Sequence, residues 1–220
     1  MNISYTRLLK EDFDKSCKDL ALYLLGKILV RKLQDNTILK GRIVETESYL
    51  RGEDKASNTY NNRRTEANEP MYMPAGTCYV YMTYGMYHCF NISSREPGAA
   101  VLLRALQPLS GFDVMEKHRA QKSKSIKNFK PTKLCDGPSK LCMAMDITKE
   151  YINKLDLTDL KNDKLWLEDD PEFEQNFTVV HSARIGINRA EEWNTKPLRF
   201  YILSNDSVSK RDKAAELQYK

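Results

Sequence analysis

The sequence predicts one domain of the α+β class, spanning residues 1–220. This length corresponds to about one and a half domains of ordinary size, so one domain is expected and two small ones stay possible. Candidate strands come in neighbouring pairs joined by short turns, which disfavours a doubly wound parallel sheet. Neither an internal repeat nor a Pro/Gly-rich linker divides the chain. With 41% hydrophobic and 30% charged residues, the composition excludes a disordered or collagen-like chain.

The first third of the chain predicts a helix, a strand hairpin and a loop. Residues 11–25 carry apolar side chains at helical spacing, which predicts a helix, and the glycine that follows them predicts its end. Strands are expected over 27–33 and 38–49, on either side of a short Asp-Asn turn. Residues 51–70 are polar and lack periodicity, which predicts an irregular loop.

The remaining two thirds predict further strands and two helices. Alternation and apolar runs indicate the strands, and a proline in the first helical turn marks the start of the second helix. In chain order these elements are hairpin strands at 77–84 and 86–94, a strand at 99–106, a helix at 108–119, a short helix from Gly137-Pro138, and strands at 179–187 and 198–203.

Charge is unevenly distributed along the chain. The net charge of +5 permits a nucleic-acid partner without requiring one. The stretch 117–133 holds seven Lys/Arg and no acid, whereas 168–174 is acidic. We interpret both as solvated loops, with the basic stretch equally open to a role in nucleic-acid binding.

Several classes of protein and site are disfavoured by what the sequence lacks. The first twenty residues are acidic in part and have no apolar run, and every apolar stretch is too short to span a bilayer, so neither a leader nor a membrane partner is expected. The five cysteines form no C-x-x-C pair, which predicts buried reduced thiols and no metal site. Nucleotide-cofactor and zinc-protease motifs do not occur, so no cofactor is expected.

Charged residues on two apolar strands are candidates for chemistry. Strand alternation places Glu45, Glu47 and Tyr49 on one face, where a carboxylate beside an aromatic ring can act as a general base. A solvent-facing strand is the alternative. Arg104 lies inside the apolar run 99–106, and a buried guanidinium needs a partner, for which a strand-end Glu is the obvious choice. That pair can be structural or catalytic.

The second hairpin carries four tyrosines within nine residues. Aromatic residues on sheets usually pack in the core or pair across strands. Tyr84, beside Gly85 at the turn, is harder to bury and could wedge between stacked bases.

Six segments in order resemble the alkyladenine (3-methylpurine) DNA glycosylase family. The resemblance covers about residues 20 to 204. The segments are GRIVETESY (41–49), the hairpin from GTCYVY (76–81) to NI (91–92), AVLLRALQPL (100–109), GPSKLC (137–142), RIGI (184–187) and KPLRFY (196–201). The resemblance implies a fold with a curved antiparallel sheet, surrounding helices and a protruding β-hairpin that inserts into DNA.

The resemblance also implies an activity and a set of site residues. The enzyme would be a monomer that flips 3-methyladenine, 7-methylguanine, hypoxanthine or ethenoadenine out of duplex DNA and hydrolyses the N-glycosidic bond, without metal, cofactor or lyase step. Its implied catalytic residues are Glu47 as general base, with Arg104 and the Ile185 carbonyl holding the water. The implied base pocket consists of Tyr49, Asn58, Tyr81 and Asn91, with Asn91 excluding guanine. The implied DNA contacts are Tyr84, which fills the vacated stack, and Met86, Tyr87, Arg63, Thr65, Lys140 and Lys149, the last two on phosphates.

Two positions depart from the family pattern. Asn58 stands where the family usually has His, and a planar amide stacks less well than imidazole, so lesion preference is expected to change. Ala67 replaces an Arg of the polar loop, while Glu66 and Glu69 add negative charge. We therefore expect fewer phosphate contacts and a shallower salt dependence of DNA binding.

Three hypotheses remain from sequence. The first is an active glycosylase, nuclear in a eukaryote or cytoplasmic in a bacterium. The second is a binder that keeps the DNA surface without excising. The third is an RNA- or tRNA-handling domain, which would prefer single strands to duplex.

Overall fold

The computed structural model describes residues 6–121, 129–171, 173 and 176–219, and its framework is an antiparallel sheet. Within those residues the strands are β1 (Thr6–Arg7), β2 (Ile28–Lys32), β3 (Ile38–Tyr49), β4 (Cys78–Thr83), β5 (Tyr87–Ser93), β6 (Ala100–Ser110), β7 (Leu165–Asp169), β8 (Val179–Ser182) and β9 (Arg199–Ile202). Their order is β1-β7-β2-β3-β6-β5-β4, with β9 joined to both β3 and β8. The sheet is open, and the predicted α+β class is confirmed.

Strand β3 is the centre of the sheet because it changes partner along its length. Residues Ile38 to Arg42 pair with β2, whereas Glu45 to Glu47 pair with β9. The other edge of β3 pairs with β6, with register shifts at Lys40/Gly41 and on both sides of Glu45. Such irregularities bend a strand and increase its twist, which lets β3 leave β2 and meet β9. The two glutamates of the GRIVETESY segment lie at this crossover.

Helices cover parts of the sheet. They are α1 (Lys10–Phe13), α2 (Cys17–Tyr23), α3 (Phe112–Ala120), α4 (Pro138–Ala144), α5 (Lys149–Ile152) and α6 (Lys213–Glu216), with 3-10 turns at Glu69–Tyr72, Pro131–Lys133, Glu191–Asn194 and Leu217–Tyr219. Helix α2 buries Cys17, Leu20 and Ala21 in the core. Helix α4 begins at Gly137-Pro138, as predicted.

The core is apolar and includes every cysteine of the chain. All five are buried and unpaired, as predicted. Burial raises the pKa of Cys17 to about 12 and that of Cys135 to about 12. These two thiols therefore stay protonated at neutral pH. In the part of the chain that the structure describes, no helix is long and apolar enough to cross a bilayer.

Two predicted helices are wrong in extent. The helix expected over 11–25 is two helices, because Ser16 leaves the helical path and caps α2 by accepting the Asp19 N–H at 3.2 Å. The helix expected over 108–119 starts later, since β6 continues to Ser110. Gly111 then turns the chain at φ +84°, and a Cβ there would lie 2.3 Å from Leu39 Cδ2.

Three further predictions need correction in the second half. The strand expected over 179–187 ends at Ser182. The acidic stretch is partly a strand, β7, because Lys27 reaches Asp169 at 2.8 Å and Lys40 reaches Glu168 at 2.7 Å. Of the basic stretch, residues 117–120 belong to α3, and 122–128 lie outside the described residues.

Candidate active site

Glu47 is buried in the sheet at the point where β3, β6 and β9 meet. It pairs in register with Leu102 on one side and Arg199 on the other, and its side chain has no exposed surface. The alternative of a solvent-facing strand is therefore wrong. Three donors reach the carboxylate: the Ile185 N–H at 2.8 Å, the Tyr49 hydroxyl at 2.8 Å and Arg104 Nη1 at 3.2 Å.

The donors fix the Glu47 carboxylate in one orientation. Ile185 donates to Oε1, whereas Tyr49 and Arg104 both donate to Oε2. Burial, reinforced by the charge of Glu47, raises the pKa of the Tyr49 phenol well above its usual value. Tyr49 thus remains a donor at neutral pH. The resemblance assigned a water contact to the Ile185 carbonyl; the structure adds that the N–H of this residue contacts Glu47.

Arg104 confirms the prediction that a strand-end Glu neutralises it. It pairs with two carboxylates, Glu47 at 3.2 Å and Glu45 at 3.4 Å. Burial alone would lower the pKa of the guanidinium, but the two carboxylates outweigh burial and raise it. A permanently charged group therefore lies against the candidate general base.

Of the two tyrosines assigned to the base pocket, Tyr49 ends β3, two residues after Glu47, and Tyr81 lies on β4 beside Tyr79, which was not assigned. Tyr81 and Tyr79 on β4 have ring centroids 5.3 Å apart, tilted by 33°. Burial raises the pKa of Tyr81, and of Tyr79 to about 12, so both phenols are neutral at pH 7. Neutral aromatic rings are suited to stacking on a planar base.

Both asparagines assigned to the pocket contact Tyr79, which sequence reasoning did not single out. Asn58 Nδ2 donates to the Tyr79 hydroxyl at 2.9 Å, and Asn91 Nδ2 donates to the Tyr79 carbonyl at 3.1 Å. Asn91 is buried on β5, whereas Asn58 is exposed in the polar loop. The Asn58 carbonyl also accepts from Asn68 at 2.9 Å. The residue that replaces the usual His is thus held through its side chain by Tyr79 and through its backbone by Asn68.

A buried ion pair, Asp54 with Arg184, braces this pocket and was missed from sequence. Arg184 Nη1 and Nη2 donate to the two Asp54 oxygens at 2.6 and 2.7 Å, and both side chains are fully buried. The guanidinium lies 4.7 Å from the Tyr49 ring centroid and also donates to the Ser48 carbonyl at 2.9 Å. The RIGI segment contains Arg184, but the pairing with Asp54 spans 130 positions and leaves no local signal.

The hairpin of β4 and β5 presents its turn to solvent. Tyr84 is 87% exposed and Met86 54% exposed, while Tyr87 is half-buried. Tyr84 and Gly85 have φ of +53° and +67°, and the Met86 N–H donates to the Thr83 carbonyl at 3.2 Å. Positive φ is uncommon for tyrosine, and residues with such backbone angles occur in tight turns and cluster at functional sites. The expectation of an exposed aromatic tip is confirmed, and its contact with DNA stays a prediction.

The candidate DNA-backbone residues differ in their exposure and in the partners that their polar groups already have within the protein. Arg63 and Lys149 are exposed. Lys140 is paired with Asp136 at 2.7 Å, and the Thr65 N–H donates to Asn68 Oδ1 at 2.7 Å. Among the described basic residues of 117–133, Arg119 donates to the Leu134 carbonyl at 2.7 Å, so it is not a free solvated charge.

The loop departure has a direct structural consequence for Arg64. Arg64 donates through Nε and Nη2 to both oxygens of Glu69, at 2.8 and 2.6 Å. Its guanidinium also lies 4.9 Å from the Tyr72 ring centroid. Glu69 thus neutralises a cation that the sequence places beside Arg63.

Comparison with known proteins identifies the family. The sequence model of the methylpurine-DNA glycosylase (MPG) family matches residues 11–206. The chain belongs to the methylpurine-DNA glycosylase family. The family that the six segments indicated is confirmed, and with it the enzyme class of DNA glycosylases.

Relatives from distant organisms match most of this chain. DNA-3-methyladenine glycosylase of Mus musculus is 48% identical over 213 residues, 96% of this chain. That of Homo sapiens is 47% identical over 214 residues. A relative from Clostridium perfringens (strain 13 / Type A) is 41% identical over 208 residues and is covered over its full length. The chain spans 63% of the mouse protein and 70% of the human one.

Proposed function

We propose that this protein is a DNA glycosylase of base-excision repair that removes 3-methyladenine and related damaged purines from duplex DNA. The related purines are 7-methylguanine, hypoxanthine and ethenoadenine. One observation carries the proposal: within a chain of this family, a buried carboxylate, Glu47, is oriented by three donors beside the tyrosines of the pocket.

Base extrusion is the first step of the proposed reaction. A base inside a duplex cannot be reached, so the enzyme flips it out at a cost of about a few kcal/mol. Tyr49 and Tyr81 stack on its two faces, which returns about 1–3 kcal/mol per stacked base. Stacking is nearly blind to ring substituents, which suits several substrates, while Asn91 crowds the exocyclic amine of normal guanine. Tyr84 fills the gap that the base leaves.

Hydrolysis of the N-glycosidic bond is the second step. The Glu47 carboxylate accepts a proton from a water held by Arg104 and the Ile185 carbonyl, and the resulting hydroxide attacks the sugar carbon. The bond to the base breaks with its electron pair leaving on the purine. Positive charge develops on the sugar in the transition state, before proton transfer to Glu47 is complete, and the still negative carboxylate stabilises it. An alkylated, cationic purine leaves readily, and a neutral one must be protonated first. No lysine is assigned as a nucleophile, so the proposal includes no lyase step. The proposed reaction also needs no metal or cofactor.

The proposed partner is double-stranded DNA bound by a monomer. Met86 and Tyr87 face DNA from the hairpin, and Arg63, Thr65, Lys140 and Lys149 contact its backbone. Contact by Lys140 requires that its ammonium be shared with Asp136. Curated relatives come from eukaryotes and bacteria, so the proposed location is the nucleus in the first case and the cytoplasm in the second.

Single-turnover excision from a duplex with one hypoxanthine tests the proposal. Wild type and Glu53→Gln, which alters an exposed carboxylate near the site, are expected to yield abasic sites revealed by alkaline cleavage. Glu47→Gln is expected to bind the duplex and yield none. Strand cleavage without alkali would contradict the monofunctional mechanism.

Two other outcomes would favour the alternative functions. Tight lesion binding without product from any variant, on hypoxanthine and 7-methylguanine alike, would indicate a non-excising binder. Stronger binding to single-stranded RNA than to duplex DNA would indicate an RNA-handling domain.

A further inference from the structure

Glu45 is a second fully buried carboxylate, two residues before Glu47, and the reaction proposed above does not use it. Arg199 Nη1 donates to its Oε1 at 2.8 Å. The Ser209 N–H donates to its Oε2 at 2.7 Å, and the Ser209 hydroxyl donates to its Oε1 at 2.9 Å. A carboxylate with this many donors is fixed in position.

Arg104 lies between Glu45 and Glu47. Its Nη1 contacts Glu47 Oε2 at 3.2 Å, and its Nε lies 3.4 Å from Glu45 Oε1. Among the described residues this buried Nε has no hydrogen-bond partner. Attraction by Glu45 therefore acts on the Nε edge of the guanidinium, while the Nη1 edge reaches the candidate general base.

The four charges balance. Glu45 and Glu47 face Arg104 and Arg199, and all four side chains are buried. Without the negative charge of Glu45, Glu47 alone would attract Arg104, and the guanidinium would be free to rotate about its stem. A buried charge that has two partners instead of one is held in a narrower range of orientations.

The donors that fix Glu45 come from the end of the chain. Arg199 also donates to the Lys210 carbonyl at 2.8 Å and to Ser182 Oγ at 3.0 Å, and the Ser182 hydroxyl donates to Asp212 at 2.5 Å. Ser209 and Lys210 thus contact the four-charge cluster directly, and Asp212 contacts it through Ser182. They follow the last residue, 206, of the family match.

We propose that Glu45 is a positioning residue, which holds the Arg104 guanidinium toward Glu47 and is itself held by Arg199 and by Ser209 of the C-terminal segment. This inference rests on the proposed glycosylase function. It assigns a role in the reaction to Ser209, through Glu45 and Arg104, without contact with the base.

A double-mutant cycle tests whether Glu45 acts through Arg104. Single-turnover excision of hypoxanthine at saturating enzyme is measured for wild type, Glu45→Gln, Arg104→Lys and the double variant, together with the dissociation constant for the lesion duplex. Glu45→Gln is expected to lower the rate about 10- to 100-fold, as displaced catalytic groups do, with the dissociation constant within about threefold of wild type. In the Arg104→Lys background the same change is expected to add less than about a twofold loss.

Two outcomes would overturn the proposal. One is a Glu45→Gln rate equal to wild type. The other is a full Glu45→Gln loss repeated in the Arg104→Lys background, because a residue that acts through Arg104 cannot have an independent effect.

Ser209→Ala keeps all four charges and gives a second test where Glu45→Gln fails to fold or Arg104→Lys has no measurable rate. It removes one donor to Glu45, and we expect about a two- to fivefold lower rate with unchanged affinity and melting temperature. A wild-type rate for Ser209→Ala would then overturn the proposal. Asp170→Asn is the matched control for Glu45→Gln, because it also converts a carboxylate that pairs with an arginine into an amide. Asp170 pairs with Arg42 at 2.8 Å, on the half of β3 outside the site, so a wild-type excision rate is expected for this control. Absence of excision by wild type would contradict the proposed function itself, whereas normal excision by wild type, Glu45→Gln and Ser209→Ala would contradict only the role of Glu45.

Discussion

Replacing Asp54 by alanine would leave Arg184 as a buried charge without its partner. The pair is bidentate, at 2.6 and 2.7 Å, and neither side chain has exposed surface. Asp54 also accepts the N–H groups of Leu50 at 2.9 Å and Ala56 at 3.0 Å, so two further donors lose their acceptors. Breaking a buried pair from one side costs about 3–5 kcal/mol.

The expected loss of stability is large for a protein of this size. At about 2–4 °C per kcal/mol for a domain of about 150–250 residues, a loss of about 3–5 kcal/mol lowers the melting temperature by about 6–20 °C. Urea unfolding and thermal melts of Asp54→Ala and wild type measure the two quantities. A lower urea midpoint with an unchanged slope is expected, because the amount of surface exposed on unfolding stays nearly the same.

Asp163→Ala is the control for this prediction. Asp163 pairs with Lys32 at 3.0 Å, but its side chain is 71% exposed, and exposed pairs contribute about 0–1 kcal/mol. The reasoning is refuted if Asp54→Ala costs no more than Asp163→Ala, since that would show that the buried pair contributes no more than a surface pair.

Three further expectations concern DNA. Asn58→His restores the usual family side chain and is expected to change the ratio of 3-methyladenine to hypoxanthine excision; equal ratios in variant and wild type would refute the role of Asn58. Glu69→Gln releases Arg64, and if the freed cation meets one phosphate the log–log salt slope of DNA binding steepens by about 0.9; an unchanged slope means that Arg64 stays off the backbone. Tyr84→Ala removes an 87% exposed ring, so the free energy of unfolding is expected to change by less than about 0.5 kcal/mol. Affinity for the lesion duplex is expected to fall about 5- to 150-fold, because about 1–3 kcal/mol of stacking is lost. Unaltered affinity would argue against insertion of Tyr84 into DNA.

Sequence reasoning predicted the structure correctly where the signal is local or strongly apolar. The second half of β3, the hairpin and the partner of Arg104 were predicted because alternation, a tight turn and a charge in an apolar run each constrain the structure directly. The turn at Tyr84 was placed within a residue for the same reason.

The remaining features depend on contacts between distant positions. Asp54 sits in a polar loop that gives no sign of its burial by Arg184, 130 residues away. Strand β7 was not predicted, because the acidic residues Glu168 and Asp169 indicate a solvated loop. The lysines that neutralise them in the sheet, Lys40 and Lys27, are distant in the sequence. Helix 11–25 was expected to be continuous because the break at Ser16 depends on a cap, which periodicity does not show.

The change of partner along β3 also determines when the candidate active site can assemble. A nascent chain that has grown only through β6 contains Glu47 and Arg104, yet it lacks Ile185, Arg199 and Ser209, which complete the cluster from 138 to 164 residues further along than their partners. Contacts between residues so far apart in the sequence form late, because the entropy cost of closing a long loop must be met before the contacts stabilise the chain. Synthesis at about 5–20 residues per second therefore delays assembly of this cluster until the residues that follow β9, including Ser209, have emerged.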